Sequence, residues 1–341
     1  MTSFIASFVS IIMAVFYILG IIGSPTQLNL ENKVYENVTI DTQYTEETGT
    51  ADRIHFLNTG SGNCIVIESN GRFAMLDAAE DNDNPKGLPS LDLVGYEEEI
   101  LEYLKANCAD ENGKVTLDWV LGTHAHSDHL GGFDTIINDE DVTVKKAFLK
   151  KYDASKCVFF ERWTWDNEEV YNQMIEACEA NGVELIQDIP SEPFAFGDFT
   201  IQFFSTDFDE AAFEKEENAN SVVTLVEKAG RTALCTGDLD WFFGDEMEVA
   251  KAIGKEIDIL EIGHHGYIGS SAPNFVKTLK PEVAIACNTQ EGLTYSTVIK
   301  AFSSINCPIF PTVENDGIIT YFTDDGRIIL ADDIICSQQL G

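Results

Sequence analysis

Histidine is scarce in this chain, and most of it is concentrated at two places. The 341 residues contain six histidines, and five of these lie in "LGTHAHSDHLGG" (residues 121–132) and "IGHHG" (residues 262–266). Histidine is the most common metal ligand in proteins, and loops at strand ends can present several ligands from a rigid scaffold. The two motifs therefore predict a metal site assembled from two distant segments of the chain.

The spacing within the first motif suits two metal ions. His124 and His126 are two positions apart, so both imidazoles can point the same way on an extended turn, and Asp128 and His129 follow on the other side. One loop can thus supply two histidines to one ion and a carboxylate with a histidine to another. Such ligands suit zinc, and also manganese or iron. The alternative, a surface loop that is rich in histidine by chance, is disfavoured because histidine is so rare elsewhere.

The charge balance limits the class of partner. Acidic residues number 58 and basic residues 21, which gives a formal net charge of −37. Affinity for nucleic acid normally depends on clustered lysine and arginine, and no such cluster lies beside the histidine motifs. Nucleic acid is therefore disfavoured as a partner, whereas cations should concentrate around the protein.

The N-terminal segment is apolar. From Phe4 to Ile22 no residue is charged, and a membrane-spanning helix needs about 20 such residues. A cleaved signal peptide usually has a shorter apolar core after a positive region, and no basic residue precedes this run. We predict an N-terminal hydrophobic helix over residues 1–23 that acts as a signal anchor, with a cleaved signal peptide as the alternative. Both alternatives predict an extracytoplasmic protein, which would be membrane-anchored in the first case and secreted in the second.

The remainder reads as one domain. Residues 24–52 are polar and acidic and are interpreted as a linker or first strand. From residue 53 to 336, short β-rich runs come first, followed by alternating helical and strand patterns, without a repeat or an internal linker. This order predicts an α/β fold in which two sheets lie between layers of helices.

Four motifs in order resemble the metallo-β-lactamase fold. They are "AMLDAAE" with Asp77, "THAHSDHLGG", "LCTGDLD" with Asp238, and "IGHHG", and each follows a predicted strand. The resemblance implies a four-layer αββα sandwich with a metal centre. In that family the first aspartate orients the metal loop, and the later aspartate bridges two metals.

Further segments resemble a subgroup of that family. "IHFLNTGSGNCIVIESNGRFAMLDAAE" and "ENANSVVTLVEKAGRTALCTGDLD" are similar to the extracellular hydrolase domain of the DNA-uptake channel ComEC and to phosphorylcholine esterases. In this subgroup Asn220 and Ser221 stand where most family members carry a third histidine ligand. The chain departs from the subgroup at "EGLTYS", which lacks the histidine of a later motif, and the multi-spanning channel is absent.

The resemblance implies two zinc ions per chain, with manganese as a possible substitute. The implied metal ligands are His124, His126, Asp128, His129, Asp238 and His265. One ion would lie between His124, His126 and Asp238, and the other would use Asp128, His129, Asp238 and one residue of the pair His264 and His265. We favour His265 as the ligand and His264 as a contact to a leaving group or phosphate. The residues expected to take part in catalysis are Asp77, Asp128 and His264.

The predicted function is metal-dependent hydrolysis of a phosphodiester or phosphoester by an activated water. A site with few histidine ligands suits a phosphoryl oxygen, and the acidic charge favours a small-molecule substrate over nucleic acid. Two alternatives stay open: a lactonase, thioesterase or β-lactamase of the same fold, and a non-catalytic cell-surface binding protein.

Other candidates have ordinary explanations. Trp163 and Trp165 flank acidic residues and could enclose a quaternary ammonium group, but packing of a loop onto the domain is the preferred interpretation. His55 is predicted to be a core or edge histidine, and Asp240 to be solvated or to cap a helix. Cysteines in apolar runs are predicted to be buried free thiols: Cys64, Cys235 and Cys287.

Overall fold

The computed structural model describes residues 29–44, 52–82, 94–205, 215–289, 291–293 and 295–332. The apolar run predicted as an N-terminal helix, residues 4–22, lies outside the described residues. Within the described ranges, no helix combines the length and apolar character needed to cross a bilayer.

Strands are the main elements of the described chain. They are β1 (Lys33–Val34), β2 (Val38–Ile40), β3 (Arg53–Phe56), β4 (Ile65–Ser69), β5 (Arg72–Leu76), β6 (Val115–Gly122), β7 (Val142–Val144), β8 (Lys146–Leu149), β9 (Glu184–Ile186), β10 (Phe194–Phe196), β11 (Phe199–Ser205), β12 (Val222–Lys228), β13 (Arg231–Cys235), β14 (Ile259–Glu261), β15 (Val283–Ala286), β16 (Ile309–Pro311), β17 (Ile318–Phe322) and β18 (Ile328–Asp332).

Helices lie between many of these strands. The α-helices are α1 (Glu97–Asn107), α2 (Ser127–Leu130), α3 (Phe133–Asn138), α4 (Phe159–Thr164), α5 (Asn167–Asn181), α6 (Glu246–Ile253), α7 (Pro273–Leu279) and α8 (Ser296–Ser303). Short 3-10 turns are formed by Ala154–Lys156, Glu217–Asn220, Gly263–Gly266 and Val313–Asn315.

The strands form two mixed sheets. The larger sheet has the order β1-β2-β18-β17-β3-β4-β5-β6-β8-β9, with β7 also paired to β6, and the smaller has the order β10-β11-β12-β13-β14-β15-β16. Antiparallel hairpins open each sheet, and parallel pairs follow: β5 with β6 in the larger sheet, and β13 with β14 in the smaller. The helices that connect the parallel strands must then lie on the outer faces.

Apolar clusters define the layers. One cluster contains side chains from both sheets and fills the space between them. A second packs α1, α3 and α5 against the outer face of the larger sheet, and a third packs α6, α7 and α8 against the smaller sheet. The predicted arrangement of two sheets between helical layers is therefore confirmed.

Local sequence explains why α1 forms where it does. Three glutamates occupy its first turn, where negative charge is favourable, and Lys105 lies in its last turn. Its buried residues, Ile100, Tyr103 and Leu104, follow helical spacing and face the larger sheet.

β1 and β2 lie in the segment interpreted as a linker or first strand, and β2 pairs in parallel with β18 near the edge of the larger sheet. β8 and β10 were not predicted from the sequence, and they have only four and three residues. A run of this length is too short to show a period, so the tertiary pairing decides its structure.

The strand ends place the histidine motifs together. Asp77 follows β5 directly, and the loop with His124 begins immediately after β6. In the smaller sheet Asp238 follows β13, and the histidine pair follows β14. Because paired parallel strands end at the same edge of a sheet, each sheet delivers two of these segments to one side of the molecule.

Trp119 of β6 joins the two sheets. Its ring packs edge-on against Phe148 of the larger sheet at 6.0 Å between centroids, and against Phe196 and Phe203 of the smaller sheet at 5.6 and 5.7 Å. The side chain is 4% exposed, so its removal would leave a large cavity between the sheets.

We expect Trp119→Ala to lower the free energy of unfolding by about 3–5 kcal/mol, the usual cost of truncating a buried aromatic side chain. Guanidinium unfolding followed by circular dichroism measures this change. The matched control is Trp163→Ala, because that ring is 69% exposed and its loss should change stability by less than about 0.5 kcal/mol. Equal destabilisation by both substitutions would contradict the role given to Trp119.

Candidate metal centre

Asp77 holds both ends of the histidine loop. Its Oδ1 accepts the backbone N–H of Thr123 at 2.7 Å, and its Oδ2 accepts the Thr123 hydroxyl at 2.9 Å and the Nδ1–H of His129 at 2.7 Å. The aspartate is buried, and this burial raises its pKa, although His129 acts in the opposite direction. These three bonds orient the loop, as the resemblance implied for this residue.

One ligand group lies at the start of the loop. The Nε2 of His124 is 2.9 Å from the Nδ1 of His126 and 3.9 Å from Oδ2 of Asp238. The other nitrogen of His124, Nδ1, lies 3.1 Å from the hydroxyl of Thr123 and 3.3 Å from that of Ser221. The three nearest donor atoms fall within 4.8 Å of one another, a spacing that a single ion can span.

A second ligand group lies beside it. It contains Asp128, His129, Asp238 and His265, again with one donor atom of each within 4.8 Å of the others. The Nε2 of His265 is 3.1 Å from Oδ2 of Asp128 and 3.4 Å from Oδ1 of Asp238. The Nε2 of His129 is 3.1 Å from Oδ1 of Asp238. Asp238 belongs to both groups and is buried between them.

The orientation of two imidazoles favours a cation in the second group. His129 directs Nδ1 at Asp77, and His265 directs Nδ1 at the backbone oxygen of Cys287 at 3.2 Å. If each ring donates through Nδ1, the lone pairs of both Nε2 atoms converge, and these atoms are 3.3 Å apart. Oδ1 of Asp238 is buried there without a well-aligned hydrogen bond. Converging lone pairs and a bare carboxylate oxygen form a donor set that fits a divalent metal ion.

The electrostatic field of the site also favours positive charge. Burial opposes protonation of His129 and His265, yet Asp238 and neighbouring carboxylates hold the pKa of each imidazole well above its ordinary value. Burial likewise opposes ionisation of Asp238, but His265 and His129 hold the pKa of this aspartate well below its usual range. The carboxylates thus attract positive charge, which either protons or metal ions can supply.

The structure separates the two adjacent histidines of "IGHHG". His265 is 1% exposed and lies in the second ligand group, whereas the His264 side chain is 21% exposed and its Nε2 is 3.9 Å from the nearest Asp238 oxygen. Both residues adopt left-handed backbone angles, with φ of 53° and 52°. The Nε2 of His264 lies 3.3 Å from the side-chain amide of Asn218, and its Nδ1 is buried without a partner. His264 lies outside both sets of donor atoms that fall within 4.8 Å of one another, so it borders the centre.

Ser221 lies at the position where most members of the family that the chain resembles carry a third histidine ligand. Its hydroxyl lies 3.3 Å from Nδ1 of His124 and accepts the backbone N–H of Asp238 at 3.1 Å. Ser221 therefore contacts His124, a ligand of the first group, and holds the backbone of Asp238, whose carboxylate belongs to both groups. The first group thus has two imidazoles and one carboxylate among the described residues.

Sequence reasoning missed three buried glutamates at the site. Glu161 lies 2.7 Å from Nε2 of His126, and Glu217 accepts the N–H of Ala125 at 3.2 Å. Glu261 accepts the N–H of Thr236 at 2.7 Å, and burial raises its pKa to about 7. Glu261 interrupts the apolar run "DILEIG", and such an interruption is the only sequence signal for any of the three. Glu161 and Glu217 lie in acidic segments where nothing distinguishes them from surface residues.

The structure also shows where the remaining candidates lie. Trp163 is largely exposed, so it does not pack a loop onto the domain. Asp240 is buried rather than solvated, and its Oδ1 accepts the N–H groups of residues 242, 243 and 244, which caps the turn before α6. His55 is buried against Tyr103, with its Nδ1 2.5 Å from the phenol oxygen. Cys64, Cys235 and Cys287 are buried and lie outside any disulfide of the described residues, as predicted.

Comparison with known families identifies the superfamily of the stretch that carries the first histidine motif. Residues 57–153 match the sequence model of the metallo-beta-lactamase superfamily. The chain contains a metallo-β-lactamase domain. The matched stretch carries Asp77 and the loop from His124 to His129, so the family resemblance of these motifs is confirmed. Asp238 and the histidine pair lie beyond that stretch, and the structure brings them to it.

Relatives of the metallo-β-lactamase domain include two much longer bacterial proteins. ComE operon protein 3 of Bacillus subtilis is 26% identical over 174 residues, which are 51% of this chain and 20% of that protein. Recombination protein 2 of Haemophilus influenzae is 23% identical over 237 residues, 68% of this chain and 24% of that protein. The metallo-beta-lactamase fold protein YhfI of Bacillus subtilis is 12% identical, with 76% of this chain and 95% of that chain covered at a TM-score of 0.45. The chain spans only about a fifth to a quarter of the two longer relatives.

The contrast between the adjacent histidines gives a prediction. We expect His265→Ala to remove metal from the second ligand group, because it deletes one of four donors, while His264→Ala should retain the wild-type metal content. Elemental analysis of the purified variants after metal supplementation measures the difference. Retention by His265→Ala together with loss by His264→Ala would reverse the assignment.

Proposed function

We propose that this protein is a dinuclear metal-dependent hydrolase of phosphoester bonds. The observation that carries the proposal is the pair of ligand groups that share Asp238, because two adjacent ions suit the displacement of an oxygen at phosphorus. When bound, the metal ions supply Lewis acidity and make water a nucleophile at neutral pH. Zinc is the first choice for these ligands and manganese the second.

Side chains around the two ligand groups have the remaining roles in the proposed reaction. Asp77 keeps the proton of His129 on Nδ1, so that Nε2 stays free as a ligand. Asp128 and His264 are the most exposed members of the site, with side chains 20% and 21% exposed, so they border the side from which a substrate enters. His264 is positioned to donate a proton or hydrogen bond to an oxygen of the substrate.

The preference for phosphorus rests on the first ligand group. Ser221 supports His124 without offering an imidazole, so His124, His126 and Asp238 leave room for an oxygen of the substrate. A phosphoryl group offers several such oxygens with negative charge. Lys150 adds a cation close by, with its Nζ donating to the backbone oxygen of Asn220 at 3.1 Å.

Export is proposed from the apolar N-terminal run alone. A signal anchor would tether the metallo-β-lactamase domain to the outer face of a membrane, and a cleaved signal peptide would release it. Either location is consistent with a strongly acidic surface that concentrates cations around the protein.

Asp238 should be essential to both ions. We expect Asp238→Ala to lose both metals and to abolish hydrolysis of bis(p-nitrophenyl) phosphate, because each ligand group loses its shared carboxylate. Glu248→Ala is the matched control, since this glutamate is exposed on α6 and should leave metal content and turnover unchanged. Elemental analysis and release of p-nitrophenol measure the two effects, and similar behaviour of the two variants would contradict the shared role of Asp238.

Metal analysis and substrate screening of the purified wild-type protein also test the two alternative functions, hydrolysis of another ester or amide class and metal binding without catalysis. If the wild-type protein hydrolyses lactones, thioesters or β-lactams but no phosphoester, the proposed phosphoester substrate would be wrong and one of these classes would take its place. Two bound metals without turnover of any of these substrates would favour a binding protein. No bound metal after supplementation would contradict the proposed centre altogether.

Charge predicts the size of the substrate. A polyanion must overcome the surplus of 37 negative charges, and two dications offset only a small part of it. We expect small phosphoesters to be hydrolysed faster than single- or double-stranded DNA at physiological salt. The measurement compares rates at matched phosphodiester concentration in zinc and in manganese. Faster cleavage of DNA that disappears in His126→Ala would show instead that the protein is a nuclease.

A further inference from the structure

Two buried carboxylates meet behind the first ligand group. Glu161 lies on α4 and is 3% exposed, and Glu217 begins the turn Glu217–Asn220 and is 1% exposed. Neither belongs to the histidine motifs, and both lie outside the stretch that matches the family. Burying two acids side by side is costly unless each has partners that require it.

Glu161 determines the tautomer of His126. Its Oε1 lies 2.7 Å from Nε2 of the imidazole, and a carboxylate can only accept a hydrogen bond from that nitrogen. The proton of a neutral ring must therefore be on Nε2, which leaves the lone pair of Nδ1 facing His124 across 2.9 Å. The side-chain amide of Asn167 donates to the same oxygen at 3.0 Å and helps to fix the carboxylate.

Glu217 holds the backbone of the same loop. Its Oε1 accepts the N–H of Ala125, the residue between the two histidines, and the side-chain amide of Asn220, each at 3.2 Å. Its Oε2 lies 3.7 Å from the Cys157 thiol, which donates to it. The backbone N–H of Glu217 in turn donates to both oxygens of Glu161 at 3.0 Å. The two acids are thus parts of one hydrogen-bonded unit.

From these contacts we propose that Glu161 and Glu217 are positioning residues for the first metal. Glu161 keeps Nδ1 of His126 free as a donor, and Glu217 holds the spacing between His124 and His126. Because the first group has only two imidazoles, the precise placement of each matters more than in a group with three. This inference rests on the proposed metal centre and is independent of the substrate.

The test is Glu161→Gln in the full-length, metal-loaded protein. An amide of the same size can present its N–H₂ to His126, which favours the wrong tautomer. Loss of such a partner typically weakens metal binding about 10–100-fold. We expect the first metal to be lost at a chelator concentration about 10–100-fold lower than in the wild type, while the second metal is retained.

Metal content per chain after equilibration with graded nitrilotriacetate measures this change. Glu168→Gln is the matched control, because Glu168 is exposed at the start of α5 and should follow the wild-type curve. Glu217→Ala should also release one metal early, because it removes the oxygen that accepts the N–H of Ala125.

A double substitution distinguishes positioning from general support. If Glu161 acts through His126, adding Glu161→Gln to His126→Ala should cause little further loss of metal. Two metals in the wild type with an unchanged chelator curve for Glu161→Gln would overturn the inference. Equal weakening of both metals, accompanied by a lower melting temperature of the metal-free protein, would also overturn it, because it indicates a purely structural role. Absence of metal from the wild type would instead remove the proposed centre itself.

Discussion

The site depends on one buried carboxylate, that of Asp238. An ionised aspartate in the interior is costly unless positive charge or hydrogen bonds compensate it. Here the Nε2 atoms of His129 and His265 lie 3.1 and 3.4 Å from Oδ1 of this carboxylate. Two ligand groups arise because imidazoles approach this carboxylate from both sides.

The two-sheet fold allows that approach. The larger sheet supplies Asp77 and the loop from His124 to His129, and the smaller supplies Asp238 and His265. The core between the sheets fixes their separation, so packing of side chains such as Trp119 determines whether the half-sites meet. Stability of this core and assembly of the metal centre are therefore coupled.

Around the ligands lies a layer of acids whose roles differ. Asp77 orients His129, Glu161 orients His126, and Glu261 holds the strand end before Asp238 through Thr236. Each gives a ligand a fixed direction, which lowers the cost of organising the site when a cation binds. Part of the acidic composition of the chain thus has a local role beside the ligands.

Individual residues show how far the sequence could predict this structure. The ligands on the loop after β6 were predictable because they are adjacent in the chain, and an extended turn fixes the directions of His124 and His126. Order and strand context also pointed to Asp77 and Asp238. Short strands such as β8 carry too few residues for a pattern, and their pairing was visible only in the fold.

The metallo-β-lactamase domain and its list of potential ligands were determined by the sequence itself, because local motifs and apolar periodicity encode them. The placement of His265 in a ligand group and of His264 at its border required the tertiary structure, since both residues have left-handed backbone angles and differ in how deeply the fold buries their rings. The roles of Glu161 and Glu217 were likewise decided only in three dimensions, because their partners lie 35 and 92 residues away along the chain.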